Sequence, residues 1–274
     1  MYCNDKIGST TIAKKLNLSV GTVTYFLNKT VGLRSSKDAA RKYTCNNDFF
    51  EKINTEEKAY WLGFIYADGY VMRSKHDQKI VSISLSSRDI NHIEKFKECI
   101  SATYPIHTYK ASNSYSKNTM YSRISITSDK MFDDLNTHGV VENKTLILKA
   151  PDIPDNLIKD FIRGYIDGDG CITTHKPGKG RMVLQYAVKI VGTKNVLEFI
   201  KNFIENNHCA TIRKFYKRHK NDNVYNIDFG GNKQVKKFLD IIYNGAHIFL
   251  NRKYEKYIDL CNLIHSRLAS KDAS

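Results

Sequence analysis

Trp61-Leu62-Gly63-Phe64-Ile65-Tyr66-Ala67-Asp68-Gly69 occurs a second time in this chain, in altered form, as Ile162-Arg163-Gly164-Tyr165-Ile166-Asp167-Gly168-Asp169-Gly170. Each copy is an apolar run with glycine third, a small residue seventh, aspartate eighth and glycine ninth. The eighth-position aspartates stand 101 residues apart, which is room for one compact α+β unit. A repeat at this interval predicts a duplicated unit joined about a pseudo-twofold axis. One carboxylate from each half would then meet its counterpart at that axis, an arrangement suited to metal-assisted chemistry on two opposed strands.

The segments after each motif correspond element by element. An alternating strand follows first, with Val81, Ile83 and Leu85 in one copy and Tyr186, Val188 and Ile190 in the other. The period of two turns Ser82, Ser84, Ala187 and Lys189 to the opposite face. An amphipathic helix comes next (Ile90, Ile93, Phe96 and Ile100; Val196, Leu197, Ile200, Phe203 and Ile204). Then follow a basic segment, a second alternating strand (Ile124, Ile126; Ile227, Phe229) and another helix (Phe132, Leu135; Val235, Phe238, Leu239). The predicted class is α+β, two pseudo-symmetric αββαββα halves spanning 56–150 and 151–265, with a tail from 266 to 274.

Residues 1–46 read as a separate helix-turn-helix, and 47–55 as a linker. Ile12, Ala13 and Leu16 share a face of the first short helix, and Val23 and Phe26 a face of the second. Asn17 tolerates the left-handed turn between them, Leu18 is expected to pack beneath, and Ser19 to cap the second helix. That helix would offer Thr22, Thr24 and Tyr25 to a major groove. Arg34, Lys37, Arg41 and Lys42 follow, and a third helix is expected from about Ser36 to Lys42.

A net charge of +15 and a pI near 9.4 point to a polyanionic partner, nucleic acid before membrane. The charge is unevenly placed. No acidic residue occurs between Glu98 and Asp129, between Asp169 and Glu198, or between Glu205 and Asp222. Lys110, Lys117 and Arg123 fill the first window; Lys176, Lys179, Arg181, Lys189 and Lys194 the second; Arg213, Lys214, Lys217, Arg218 and Lys220 the third. Arg73 and Lys75 lie at the first hairpin tip. These windows fall on the predicted strands and their turns, so one face of each sheet can neutralise phosphates. Interleaved Tyr109, Tyr121, His175, Tyr216 and Asn226, together with Ser82 and Ser84, can reach base edges. There is no amphipathic basic helix and no apolar stretch long enough to span a bilayer, which sets the membrane aside. The six cysteines show no metal-binding spacing and read as reduced thiols, implying a cytoplasmic or nuclear setting rather than secretion.

Two copies of WLGFIYADG/IRGYIDGDG, each followed by a basic antiparallel sheet, resemble the LAGLIDADG (dodecapeptide) homing endonucleases over roughly residues 55–260. The resemblance implies motif helices packed together at the centre, two saddle-shaped sheets straddling double-stranded DNA, and a single chain that acts as a monomer. It implies site-specific hydrolysis of phosphodiester bonds, with sequence read in the major groove. The alternatives it leaves open are a non-cleaving transcription regulator on the same fold and an RNA maturase.

The residue chemistry agrees with that resemblance. Gly63 and Gly164 permit close helix approach, Ala67 and Gly168 keep the crossing tight, and Gly69 and Gly170 let the chain turn into a strand. Asp68 and Asp169 would emerge side by side, and two like charges so placed call for a divalent cation. Oxygen-only ligation, completed by the backbone carbonyls of Ala67 and Gly168, suits Mg²⁺, with Mn²⁺ able to substitute. Lys144, in Asn143-Lys144-Thr145, and Lys253, in Asn251-Arg252-Lys253-Tyr254, resemble the family's late lysine, which implies a place near the scissile phosphate. The resemblance makes the sixth motif position permissive, so Asp167 stands outside this catalytic set.

Overall fold

The computed structural model of the chain describes residues 1–3, 7–33, 42–111, 119–176, 184–217 and 223–272. The chain divides into two compact units, Met1–Thr44 and Cys45–Ser274.

In the first unit, α1 (Ser9–Leu16) and α2 (Val20–Thr30) form the expected helical hairpin. Asn17 takes the left-handed conformation at φ 56°, and the Thr22 N–H donates to the Ser19 hydroxyl at 3.0 Å. Ile12, Ala13 and Val23 make its small core, joined by Tyr2, Ile7 and Leu27. Leu16, Leu18 and Phe26, expected to pack inside, are instead exposed. Leu27, one turn on from Val23, fills the place assigned to Phe26. The expected third helix and its Arg34, Lys37 and Arg41 lie outside the described residues.

The second unit opens with α3 (Glu56–Ala67), β1 (Gly69–Arg73), β2 (Lys79–Ser86), α4 (Ile90–Cys99), β3 (Ile106–Lys110), β4 (Met120–Thr127) and α5 (Asp129–Thr137). It repeats with α6 (Ile158–Asp169), β5 (Gly170–His175), β6 (Gln185–Thr193), α7 (Lys194–Asn206), β7 (Tyr216–Lys217), β8 (Val224–Gly230) and α8 (Asn232–Tyr243), and closes on α9 (Asn251–Asp272). Both sheets are antiparallel and four-stranded, with orders β1-β2-β4-β3 and β5-β6-β8-β7. Equivalent strands thus hold equivalent places in two α+β halves. In β2 the register sets Val81 against Ile126 and Ile83 against Ile124; in β6 it sets Val188 against Phe229 and Ile190 against Ile227. All eight side chains are buried against the helices on that face.

Helix α3 is buried all round from Ala59 to Tyr66, as its unbroken apolar run requires of a helix lodged between its own sheet and α6. The segment read as a linker is part of this core. Phe49, Phe50 and Ile53 are buried, and the His138 ring lies 2.8 Å from the Phe50 carbonyl. Three apolar residues in that short stretch keep it from running free, so the unit begins at Cys45 rather than at 56. At the other end α9 continues to Asp272, with no glycine or proline between 251 and 272 to stop it.

Each half fastens the other through the loop that follows its last helix. Lys95 of α4 donates to the Phe249 carbonyl and the Asn251 side chain, and Arg252 pairs with Asp89. In return, Thr193 donates to the Leu148 carbonyl and Asn223 to that of Leu146. Arg163, almost fully buried, is neutralised by Asp160 and by Glu56 of the opposite half.

Candidate active site and nucleic-acid interface

The two motif helices cross at their glycines. A methyl group on Gly63 would overlap the Phe161 carbonyl, and one on Gly164 would overlap that of Tyr60. Only glycine permits this backbone-to-backbone approach. The contact continues to the helix ends, where a methyl on Gly168 would strike the Ala67 side chain and sit 3.5 Å from the Asp68 carboxylate. Asp68 caps α3 and Asp169 ends α6, each just before the first strand of its sheet.

The electrostatics describe one shared site. Both carboxylates act on Lys144 and Lys253, and both disfavour ionisation of the Tyr165 phenol. Burial pushes the Asp68 carboxyl above its ordinary range, against the opposing pull of Lys253 and Lys144. Burial likewise lowers the Lys144 ammonium, while Asp169 and Asp68 act to raise it. A cleft of ≈ 540 Å³ opens beside Asp68, walled by Tyr70, Met72, Asn143 and Lys144. Among the described residues no group of three or more His, Cys, Asp or Glu gathers as a metal site. Asp68 and Asp169 are the carboxylates that could hold a metal there. Hard oxygen donors that leave room for water or phosphate fit Mg²⁺.

Both lysines lie within the field of the two carboxylates, and their ammonium groups are turned to backbone. Both are buried, and both bind the carbonyl ends of the motif helices. Lys144 donates to the Ala67 carbonyl at 3.2 Å. Lys253 lies 2.6 Å from the carbonyl of Ile166, 2.7 Å from Asp167, 3.0 Å from Gly168 and 2.6 Å from Gly170. An ammonium has three N–H groups, so four carbonyls occupy Lys253 fully. The last carbonyls of a helix lack partners within it and form the negative end of its dipole, which draws a cation there. The Ala67 and Gly168 carbonyls, expected to face a metal, are thus already hydrogen-bonded. Burial draws the Lys253 ammonium down to about 8, opposed by Asp167.

Asp167, set aside in the sequence reading, is fully buried at the centre of a network. Its Oδ2 accepts from the Tyr60 hydroxyl at 2.7 Å and the Leu250 N–H at 2.7 Å; its Oδ1 accepts from the Tyr243 hydroxyl at 2.5 Å. The Tyr60 proton goes to Asp167, so its oxygen accepts from His92 Nε2–H at 2.9 Å. A legible signal was present: Asp160, Arg163 and Asp167 recur at helical spacing inside an apolar run, and buried charges must be partnered.

The sheet faces turned away from the helices carry the other candidates. Arg123 lies over the rings of Tyr70 and Tyr109, with one guanidinium N–H on the Tyr109 hydroxyl at 2.8 Å. Ser84 bonds that same hydroxyl, and Tyr121 stacks on Tyr109. On the second sheet the register sets Lys189 opposite Asp228 and Tyr216 opposite Asn226; with Thr173 and His175 they line a cleft of ≈ 410 Å³. Ser82 is on the open face but buried, its hydroxyl on Ser125. Arg73 alternates to the helix side with Val71 and lies over Phe132; Lys110 and Lys217 also take helix-side parity, at sheet edges. Lys75 and Lys176 stand exposed at hairpin tips, and Arg213 and Lys214 in the approach to β7. In the first unit Thr22 and Tyr25 are exposed on α2. Lys179, Arg181 and Arg218, like Lys117 and Lys220, lie outside the described residues.

Comparison with known proteins agrees with this geometry. The model of the family described as "LAGLIDADG-like domain" matches residues 55–137 and 156–243, one match per half. No curated protein matches the chain. Among solved structures, the LAGLIDADG homing endonuclease I-GzeII in complex with its DNA target is 12% identical, with TM-score 0.55, over 81% of this chain and 92% of that one. The meganuclease I-AabMI bound to uncleaved DNA is 15% identical, with TM-score 0.53, over 77% and 91%. I-SmaMI bound to uncleaved DNA in the presence of calcium ions is 13% identical, with TM-score 0.53, over 80% and 93%. With both motifs, both sheets and both family matches in register, the chain belongs to the LAGLIDADG family, as a single chain carrying two copies of the domain.

Proposed function

We propose that this chain is a site-specific endonuclease that cuts both strands of duplex DNA with a divalent metal, Mg²⁺ in the first instance. The observation that carries this reading is the convergence of Asp68 and Asp169 at the ends of two crossing helices, each at the entry to a sheet. A fold kept only for binding has no need of two carboxylates that both act on Lys144, Lys253 and Tyr165. That the similar solved structures include DNA complexes supports duplex DNA as the partner.

The chain's own residues divide the work. Asp68 and Asp169 are the groups to hold the metal, and Lys144 offsets their charge from below. A metal there would polarise the attacking water and stabilise the leaving oxygen. Tyr165 is buried within the field of both carboxylates, with its hydroxyl on the Val191 carbonyl. The open sheet faces bring the duplex to this centre: Arg123, Lys189 and Asn226 read base edges in the major groove in this account, while tip lysines hold phosphates. The helical hairpin of residues 9–30, with Thr22 and Tyr25 exposed, is a second contact that extends the recognised site. The thiols of the six cysteines suit a reducing compartment.

Incubating the full chain with a randomised duplex pool and Mg²⁺, then sequencing the ends produced, tests the reading. A recurrent cleaved sequence with a fixed stagger supports it. Binding and enrichment without strand breaks under Mg²⁺ or Mn²⁺ would instead mark a regulator.

A further inference from the structure

Position six of the motif differs between the halves, and the two helix ends are held differently as a result. In the first half Tyr66 occupies it and donates its hydroxyl to the His138 carbonyl within its own half. There a single lysine bond, from Lys144 to Ala67, secures the end of α3. In the second half Asp167 occupies it. Tyr60 of the opposing motif helix, Tyr243 of α8 and the Leu250 amide all donate to that carboxylate. Directly above, Lys253 gathers four carbonyls from Ile166 to Gly170. Burial raises the Asp167 carboxyl, while its described hydrogen-bond partners all donate to it and, with the Lys253 ammonium, favour the ionised acid. The last turn of α6, which ends on Asp169, is therefore held by both groups.

We infer that Asp167 is a positioning residue: with Lys253 it fixes the last turn of α6, and so aims the Asp169 carboxylate, whereas among the described residues the α3 end before Asp68 is held by the Lys144–Ala67 and Tyr66–His138 bonds alone. This rests on the endonuclease reading for its effect on cutting, but not for the anchoring itself. Asp167 is sealed from solvent, and the N–H groups of Lys253 are all engaged with backbone. Loss of the anchor should loosen one helix end and leave the other unchanged, so the two strands of a duplex should feel it unequally.

The test uses the full chain with Asp167→Asn, which keeps volume but turns an amide N–H toward existing donors, and Tyr243→Phe, which deletes one hydroxyl. The substrate is a supercoiled plasmid carrying the site recovered from the randomised pool. With Mg²⁺ the Asn variant should accumulate nicked circle, its slower strand falling by at least about tenfold relative to the faster one, as a small misplacement of a catalytic group allows. Tyr243→Phe should shift the same strand in the same direction by less. Binding of the site without metal should stay within about twofold of wild type. Hydrogen exchange should quicken at Gly168, Asp169 and Gly170 and stay unchanged at Ala67 and Asp68. Equal slowing of both strands, or unchanged exchange at the end of α6, would overturn the inference. The exchange measurement needs no cleavage, so it decides the anchoring even if the wild-type chain cuts nothing, a result that would count against the endonuclease reading alone. If Asp167→Asn does not fold, Tyr243→Phe carries both readouts.

Discussion

The Tyr60 hydroxyl of one motif helix donates to the buried carboxylate of Asp167 on the other, 2.7 Å away and 107 residues along the chain. The same oxygen accepts from His92, so a single phenol joins both halves at the crossing. Tyr60→Phe removes it at nearly constant volume, leaving the His92 N–H and one Asp167 lone pair without that partner. The expected loss is about 1–3 kcal/mol, read by urea unfolding, with the second unit still unfolding in one transition.

His92 should make stability fall with acid. Burial holds its imidazole at about 3, against 6.5 for an ordinary histidine. The unfolded chain therefore takes up a proton first as pH drops. The contribution is present in full above 6.5 and is lost from there down toward 3, on the order of a few kcal/mol in total. Glu56, whose carboxyl is lowered in the fold, acts in the same sense but in the carboxylate range. Between pH 6.5 and 5 the raised His247 and the buried Asp68, Asp160 and Asp167 carboxyls act in the opposite sense, so the difference between wild type and a His92 variant reads the histidine. His92→Gln should flatten the melting temperature there, and an unchanged slope would assign the effect elsewhere.

Gly164→Ala should separate the motif helices. The added methyl overlaps the Tyr60 carbonyl, and backbone on both sides cannot yield as a side chain can. Overpacking of this kind costs about 3 kcal/mol. Differential scanning of the variant should show a clearly lower melting temperature, whereas Gly8→Ala, which meets nothing nearby, should leave it within error.

Much of this arrangement was legible in the sequence because it depends on local periodicity. The alternation at Val81, Ile83 and Leu85, and at Tyr186, Val188 and Ile190, sorted buried from open face before any coordinates, and the repeat aligned one half with the other. What escaped depends on tertiary neighbours. Phe26 and Leu27 are equally plausible core residues one turn from Val23, and only the packing of Tyr2 and Ile7 separates them. Arg73 reads as a basic tip residue, yet strand parity carries it to the helix side over Phe132. Lys253 looks like a surface lysine until the carbonyl end of α6 is beside it. The Asp167 network joins residues from α3, α4, α6 and α8 that no short window contains.

Residues 1–44 form their own compact unit, so a chain beginning at Cys45 should keep the fold and any metal-dependent cutting. It should bind the selected duplex more weakly, and its affinity should fall less steeply with salt, since fewer phosphates are neutralised. Titrations of both forms across a salt series measure this. Equal slopes and affinities would mean the helical hairpin does not touch the duplex.

The central claim is that Asp68 and Asp169 jointly support metal-dependent hydrolysis. Its most direct measurement compares the wild-type chain with Asp68→Asn and Asp169→Asn on the selected plasmid site, scoring linear product with Mg²⁺ and binding without metal. The account predicts linear product from wild type, none from either variant, and binding retained by all three. Linear product at the wild-type rate from both Asn variants would contradict it.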